Sequence, residues 1–396
     1  MNRTQAPEEL IGIIPKELFI YLSTYRSGIC ISIILPTHAA GVEVNEHVDR
    51  IAFKTSLLQV EKILTERNTD HAIIKKILQP GFDLLEEDIW YSMKNGLAVY
   101  IAEDFIKFLR LPGDVNNEIL VNSSFSVMPL VPFMVRKEFF YILSINKKNC
   151  RFYRADAFGI EHIPVDELPV GLDDVVHFEN KEDHKLFRLS NNGAKNANYH
   201  GLGGGKPDEK QNISIYLEEV DDTLWKSHLH YSNVPLLLAG LEYLVPLYRS
   251  VSDYKYIWHE TLTGNYQHED ADKLYQQAMK VMQPYFDLDR KNALKEYGNK
   301  SATNLTSTKY SEIIPAAYYG MVSHLFIQKN AHIWGTFNED SGELHIKNEE
   351  KAGIENLADR AVAKTIESGG SVFTLDKSEI PGTTNMAAIF RYQSTK

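Results

Sequence analysis

Between Phe178 and Gln211 the chain abandons the periodic spacing of apolar residues that it keeps elsewhere, and this break limits what can be built around it. Leu186, Phe187 and Leu189 form its one apolar cluster. Gly201, Gly203, Gly204 and Gly205 follow within "YHGLGGGKPDEKQ" (Tyr199–Gln211). A loop of this length inside a compact domain is uncommon and is more often functional or mobile. The sheet begun before it has to be completed by the segments after it.

Before the break, "FFYILSINKKNCRFYRADAFGIEHIPV" reads as strand, turn at Asn146–Asn149, strand, a break at Ala157–Gly159, and a third strand. That is an antiparallel meander, the start of a mixed sheet. After the break, Ile213, Tyr216, Val220 and Leu224 make a helical stripe running on to about His228. "VPLLLAG" (Val234–Gly240) is a continuous apolar run, the pattern of a strand buried on both faces. "LEYLVPLYRSV" reads as a helix despite Pro246. A further helix carries Ala271, Leu274, Ala278 and Val281 on one face, and Pro284 is expected to end or kink it.

The flanking thirds have their own styles. In the first, "GICISIILP" (Gly28–Pro36) is a buried strand. Phe53, Leu57, Val60 and Leu64 form a helix stripe, with Lys54, Glu61 and Lys62 off it, and Leu97–Ile101 and Phe105–Leu111 form a hairpin about Glu103–Asp104. "MPLVPFMV" (Met128–Val135) marks a boundary, because its two prolines interrupt sheet pairing. In the last third, "EIIPAAYYGMVSHLFIQ" is a helix delivering into a strand at Val322–Ile327, and "AHIWGTF" is a second strand. A helix with Leu357, Ala361 and Thr365 aligned ends at the cap Gly369–Gly370, and "SVFTL" and "NMAAIFRY" are strands. The expected fold class is α/β in three domains: an N-terminal α/β domain over 1–133, a mixed-sheet middle domain over 134–286 holding the glycine loop 199–211, and a C-terminal α/β sandwich over 287–396.

Of the 396 residues, 43% are hydrophobic and 24% charged, which argues against disorder. No apolar run approaches the ~18 residues that span a bilayer, so no membrane partner is expected. The opening MNRTQAPEEL lacks a signal pattern, so the expected location is cytoplasmic. The two cysteines, Cys30 and Cys150, read as reduced and buried, and no Cys/His cluster has metal-ligand spacing; no metal and no cofactor are expected. A net charge of −11 disfavours a general coat for nucleic acid but leaves room for local contact.

The glycine stretch is not a phosphate loop. From Gly201 to Gly205 it is one residue too short, and Pro207 stands where a magnesium-binding Ser or Thr is required. It also fails the dinucleotide spacing at Lys206. Two readings remain: a flexible surface loop, or bare backbone that must enter a confined site, where glycine admits close approach and its N–H groups can face negative charge. Lys181, Lys185, Arg188, Lys195, Lys206 and Lys210 make the approach mildly basic against Glu182, Asp183, Asp208 and Glu209. His184 and His200 flank it, His200 being a candidate proton shuttle. Elsewhere, Trp258, His259 and Tyr266 read either as a base-stacking turn or as packing between a strand and a helix. Glu218–Glu219 and Asp221–Asp222 read as the solvated face of a helix.

In order, "ISIILP", "NGLAVY", "FYILSINKKNCRFYRA", "PLLLAGLEYLVPLYR", "AAYYGMVSHLFI", "VAKTIESGGSVFTL" and "AAIFRY" resemble the archaeo-eukaryotic class 1 peptide chain release factors and Pelota. They resemble more closely the bacterial archaeo-eukaryotic release-factor-like families, over nearly the whole chain. The resemblance implies that the middle domain is ribonuclease-H-like. It also implies that "HGLGGGKPDEK" stands where release factors carry a Gly-Gly-Gln loop that promotes hydrolysis of peptidyl-tRNA. Ribosome and tRNA are then the implied partners, with a protein partner at the C-terminal domain. The implied contact residues are His200, Gly201, Gly203, Gly204, Gly205 and Lys206, with Lys54, Arg188 and Lys210 as secondary candidates. The chain departs from the pattern in two places. No glutamine follows the glycines, so peptidyl-tRNA hydrolysis is open and no catalytic residue is assigned. "AFKTS" shares only a lysine and a hydroxyl residue with the family's Asn-Ile-Lys-Ser, and "GNKS" (Gly298–Ser301) lies in the wrong domain, so codon-specific termination is not expected. The reading that follows is a factor in ribosome rescue or quality control. The alternative is a catalytically silent adaptor that binds a protein or RNA.

Overall fold

A six-residue buried run in the first strand sets the first sheet. β1 (Arg26–Pro36) is covered from Cys30 to Leu35 and pairs antiparallel on both sides, with β2 (Gly96–Ala102) and β4 (Glu118–Ser124). β3 (Phe105–Leu111) completes the order β3-β2-β1-β4 through the expected hairpin. This computed structural model describes residues 14–134, 138–148, 150–175, 209–266, 270–349 and 354–392. The described chain is mixed α/β and divides into two compact units, Met1–Arg136 with Leu288–Lys396, and Lys137–Asp287.

In the first unit, Ile31, Ile33, Leu35, Leu97, Val99, Ile101 and Val121 project from one sheet face. Two helices cover them. α2 (Val48–Glu66) supplies the predicted Phe53, Leu57, Val60 and Leu64, and α3 (His71–Leu84) supplies Ile74, Ile77 and Leu78. α1 (Lys16–Thr24) precedes the sheet, and the Met128–Phe133 segment with its two prolines is a short 3-10 turn. The last third carries two sheets. One has the order β10-β16-β11-β15, where β11 (Val322–Gln328) runs antiparallel to β16 (Met386–Phe390) and parallel to β15 (Ser371–Leu375), and β10 is Thr306–Ser307. The other joins β13 (Leu344–Lys347), β12 (Trp334–Phe337) and β14 (Glu355–Asn356). The strand expected at "AHIWGTF" thus exists, but in the smaller sheet.

The opposite face of the first sheet carries Ser32, Tyr100 and Glu118, and the last third closes over it. A C-terminal helix, Leu357–Glu367, presents Asp359, which is 4% exposed. Its Oδ1 accepts from the backbone N–H groups of Val127 (2.8 Å) and Met128 (2.6 Å) and from the Ser126 hydroxyl (3.4 Å). Arg360 of the same helix donates to the Ser23 carbonyl at 2.9 Å, and Asn122 of β4 donates to the Ile354 carbonyl at 2.9 Å. These long-range bonds make one unit of the two ends of the chain. They also trap charge. Burial raises the Asp359 carboxyl to about 6, against the lowering by its backbone donors. Burial and the Asp359 charge raise Glu118 to about 7. The Tyr100 hydroxyl and Glu118 Oε1 are buried without a hydrogen-bond partner among the described residues.

The second unit is a five-stranded mixed sheet in the order β7-β6-β5-β8-β9. β5 (Phe139–Ile145), β6 (Cys150–Asp156) and β7 (Gly159–Ile163) are the predicted meander, and β8 (Leu236–Gly240) and β9 (Ile257–Thr263) run parallel to β5. The first strand of this unit in the sequence, β5, therefore lies at the centre of the sheet. α4 (Glu209–Leu224) and α5 (Leu244–Val251) cover one face through Ile213, Tyr216, Val220, Leu224, Val245 and Tyr248. α6 (Ala271–Phe286) covers the other through Leu274, Ala278 and Met282. α6 ends at Phe286, two residues past Pro284, and α7 (Leu288–Lys300) follows in the first unit. α8 (Tyr310–Tyr318) delivers into β11, and α9 is the Leu357–Glu367 helix. Its cap is as expected, with Gly369 at φ +77°.

One of the two readings of Trp258 is met, and one reading is corrected. Ile257–Thr263 is a strand, β9, and its Trp258 packs against α6, meeting Tyr285 at 6.1 Å between ring centres. Asp221 is not on a solvated face: it is 5% exposed and accepts from the Tyr248 hydroxyl at 2.7 Å and from the Asp253 N–H at 3.3 Å. Its neighbours Glu218, Glu219 and Asp222 are exposed, as expected.

Both trapped carboxyls in the first unit bind protons more tightly folded than unfolded, their ordinary values being 3.8 and 4.5. Their share of stability is present at low pH and is lost as pH rises through about 6 and about 7. Glu118→Gln is isosteric with the protonated form. It should stabilise the first unit by on the order of 1–2 kcal/mol more at about pH 8 than at about pH 5, discounting for the group's partial exposure. Denaturant melts of both proteins at the two pH values check this; a difference that does not change with pH contradicts it.

Candidate functional site at the root of the glycine segment

The parallel strands β5, β8 and β9 end together, and the carboxyl edge of such strands is where α/β sheets place their ligands. Gly240 ends β8 with no room for a side chain, since a Cβ there would lie 2.7 Å from the Ile145 carbonyl oxygen. The Gly264 N–H after β9 donates to the Gly240 carbonyl at 3.0 Å. Asn146 follows β5 directly and is 8% exposed. Its Nδ2 donates to Asn265 Oδ1 (3.0 Å), its Oδ1 accepts from the Lys148 N–H (3.2 Å), and its carbonyl accepts from the Tyr216 hydroxyl (3.1 Å).

Both described ends of the long polar segment meet this edge. On the outgoing side, the Leu172 N–H donates to the Lys147 carbonyl at 2.7 Å, and a Cβ on Gly171 would come within 2.8 Å of that oxygen. The turn is closed by Asp174, whose carboxylate accepts from the Val170 N–H at 3.1 Å and whose own N–H donates to the Gly171 carbonyl at 3.1 Å. On the returning side, α4 anchors through Ile213 and the fully buried Tyr216. The edge itself offers cations and amides. Lys147 Nζ sits 5.2 Å from the ring centre of the half-exposed Tyr243, and Lys148 and Asn265 are exposed.

This set of groups can bind and orient a polar or anionic partner. It holds no activated nucleophile among the described residues. Burial pushes the Cys150 thiol up to about 12, against a hydrogen bond with Tyr216, and burial raises Cys30 to about 11. Tyr216 is raised by burial and then by Cys150. No group of three metal-ligating side chains stands together among the described residues.

The predicted contact residues His200, Gly201, Gly203, Gly204, Gly205, Lys206 and Arg188, with His184, lie outside the described residues. Lys210 is the second residue of α4 and is exposed at the returning end. Lys54 is exposed on α2 and belongs to the first unit, so the two described lysines are on different units. Sequence reasoning missed Asn146, Gly171 and Tyr216 as anchors. The available signal was the polar residue that ends "FFYILSIN", read there only as the start of a turn.

Gly171→Ala drives a methyl group against the Lys147 carbonyl and should detach the outgoing end. The expected result is loss of protection of the Leu172 amide in hydrogen exchange and a cost of roughly 1–3 kcal/mol in the second unit. Unchanged protection at Leu172 contradicts the anchoring.

Residues 140–284 match the model of bacterial archaeo-eukaryotic release factor family 7. No curated protein matches the chain. Among solved structures, the archaeal translation termination factor aRF1 is 15% identical, with 96% of this chain and 99% of that one covered at a TM-score of 0.24. S. cerevisiae Dom34, described as a translation termination-like factor, is 11% identical, with 76% and 80% covered at 0.32. The archaeal Pelota of a ribosome-bound model with ABCE1 is 9% identical, with 97% and 96% covered at 0.36. Among the described residues no helix is long and apolar enough to cross a membrane. The family match is thus confined to the middle segment of the chain, which lies within the second unit.

Proposed function

We propose that the protein is a ribosome-associated translation factor of the rescue or quality-control kind, acting in the cytoplasm, with its glycine segment directed at the acceptor end of peptidyl-tRNA. One observation carries the reading: the glycine-rich stretch 199–211 falls inside the segment 140–284 that matches a release-factor family. The root geometry supports it. Rigid anchors at Gly171 and Tyr216, tied to the same strand end, suit a segment that must be presented outward from a fixed base. In this reading the middle domain (134–286) delivers the segment. His200, Gly201, Gly203, Gly204, Gly205 and Lys206 contact RNA, with Arg188 and Lys210 on the approach. The C-terminal domain (287–396) engages a protein partner, and Lys54 belongs to a ribosome-facing surface of the N-terminal domain (1–133).

A second reading is favoured by one sequence fact. Lys206 follows Gly205 where the release-factor pattern requires glutamine. A silent adaptor would bind the ribosome and release no peptide.

Co-sedimentation with stalled ribosomes across a salt series tests the first reading. Binding should weaken as salt rises, because phosphate contacts release counterions. Alanine at Gly203, Gly204 and Gly205 together should abolish peptide release while leaving the thermal melt unchanged. Release that survives the triple substitution contradicts the role of the segment, and binding without any release by the wild type supports the adaptor.

A further inference from the structure

The contact between α9 and the first sheet sets two acids together with no cation between them. Tyr100, Ser32 and Glu118 lie on one face of the sheet. Tyr100 pairs with Ser32 across β2 and β1, and Ile34, two residues on, pairs with Glu118 across β1 and β4. Asp359 comes down on this face from α9. Ser126 stands between the two carboxyls, its hydroxyl 3.4 Å from Asp359 Oδ1 and also bonded to the Glu118 carboxyl. The charged groups of the surrounding elements are engaged with one another. Arg360 of α9, which also acts on Asp359, pairs with Glu355 of β14 at 3.4 Å, and Arg26 of β1 reaches the same carboxylate at 3.9 Å. Among the described residues no lysine, arginine or histidine pairs with Glu118.

A buried carboxyl must either collect donors or take a proton. Asp359 Oδ1 collects two backbone N–H groups and a hydroxyl, so Asp359 holds the negative charge. Glu118 Oε1 collects no donor among the described residues, and the fully buried Tyr100 hydroxyl beside the pair has no partner there either. A second charge, on Glu118, would stand unpaired next to the first. We propose that Glu118 and Asp359, bridged by Ser126, bind a single proton, carried on Glu118, and that this proton makes the clamp of α9 on the first sheet a pH-sensitive fastening. On release the Glu118 O–H bond breaks, the proton passes to water, and two like charges face each other in a buried contact. The titration falls near neutrality: burial and then Asp359 bring Glu118 to about 7 from 4.5, and burial brings Asp359 to about 6 from 3.8. Both are raised, so the clamp is tightest at low pH and loosens as pH rises through about 7. The device goes beyond the proposed function, because it belongs to the first unit and needs neither the glycine segment nor a ribosome.

Two measurements on the full chain test it. The infrared difference between wild type and Glu118→Gln at about pH 6.5 should show the carbonyl stretch of a protonated, buried carboxyl in the wild type alone. Asp359→Asn removes the neighbouring charge and should move the loss of that band to higher proton affinity's opposite, a lower pH. Hydrogen exchange then reads the clamp at the Val127 and Met128 amides, whose acceptor is Asp359. Their protection, corrected for the intrinsic rate at each pH, should fall roughly tenfold between about pH 6 and about pH 8 in the wild type. In Glu118→Gln, which is isosteric with the protonated acid, the fall should be about twofold or less. Both amides should exchange faster than those of Ile31 and Ile33 in β1 at either pH, because the clamp opens before the sheet. Absence of the band from the wild type, an equal pH dependence in Glu118→Gln, or Val127 and Met128 amides as slow as those of β1 overturns the proposal.

Discussion

Asn146 meets three demands at the point where β5 ends. Its side chain holds the turn to β6 through Lys148 and reaches Asn265 after β9, while its carbonyl receives the Tyr216 hydroxyl of α4. A residue so placed has little freedom, and neither has the backbone beside it, since Gly240 must lie against the Ile145 carbonyl. The position of the glycine root follows from these contacts: the same turn that Asn146 fixes offers the Lys147 carbonyl to Leu172. The site is therefore a mount made from strand ends, and its rigidity comes from satisfied backbone groups rather than from a cluster of charges.

The first unit solves a different problem. A sheet whose second face carries Ser32, Tyr100 and Glu118 is a poor surface to bury, yet the last third of the chain covers it. Asp359 makes this feasible by accepting from two backbone donors and a hydroxyl, and the Ser126 N–H is taken up by the Ser32 hydroxyl at 2.9 Å. The cost is a Tyr100 hydroxyl with no hydrogen-bond partner among the described residues and two carboxyls pushed up toward neutrality. The fastening joins parts of the chain more than 200 residues apart, at Asp359 and Val127, so it adds stability only after both sheets have formed.

Much of this was legible wherever burial is one-sided or complete. The stripe Phe53–Leu64, the strand Val234–Gly240, the meander from Phe139 and the capped helix before Gly369 follow from spacing alone. Elements with mixed faces were not legible. β4 reads "EILVNSS" because its second face meets the last third, which no local pattern announces. β9, at a sheet edge, has the consecutive exposed residues His259 and Glu260 between covered ones and so lacks the alternation of a half-buried strand, and α7 has Ala293 as its one buried residue. Asp221 looks like surface because nothing near it in sequence names its partner, Tyr248, on another helix. The root of the site was visible only as a turn, since Asn146 acts through residues 70 and 119 positions away.

The central claim is that the glycine segment, held at this root, reaches RNA on the ribosome. The most direct measurement replaces Leu202 with a photo-crosslinking amino acid and irradiates the protein bound to stalled ribosomes. The account predicts crosslinks to the acceptor end of the tRNA or to the ribosomal RNA around it. Crosslinks confined to ribosomal or other proteins, with the chain bound and folded, would contradict it.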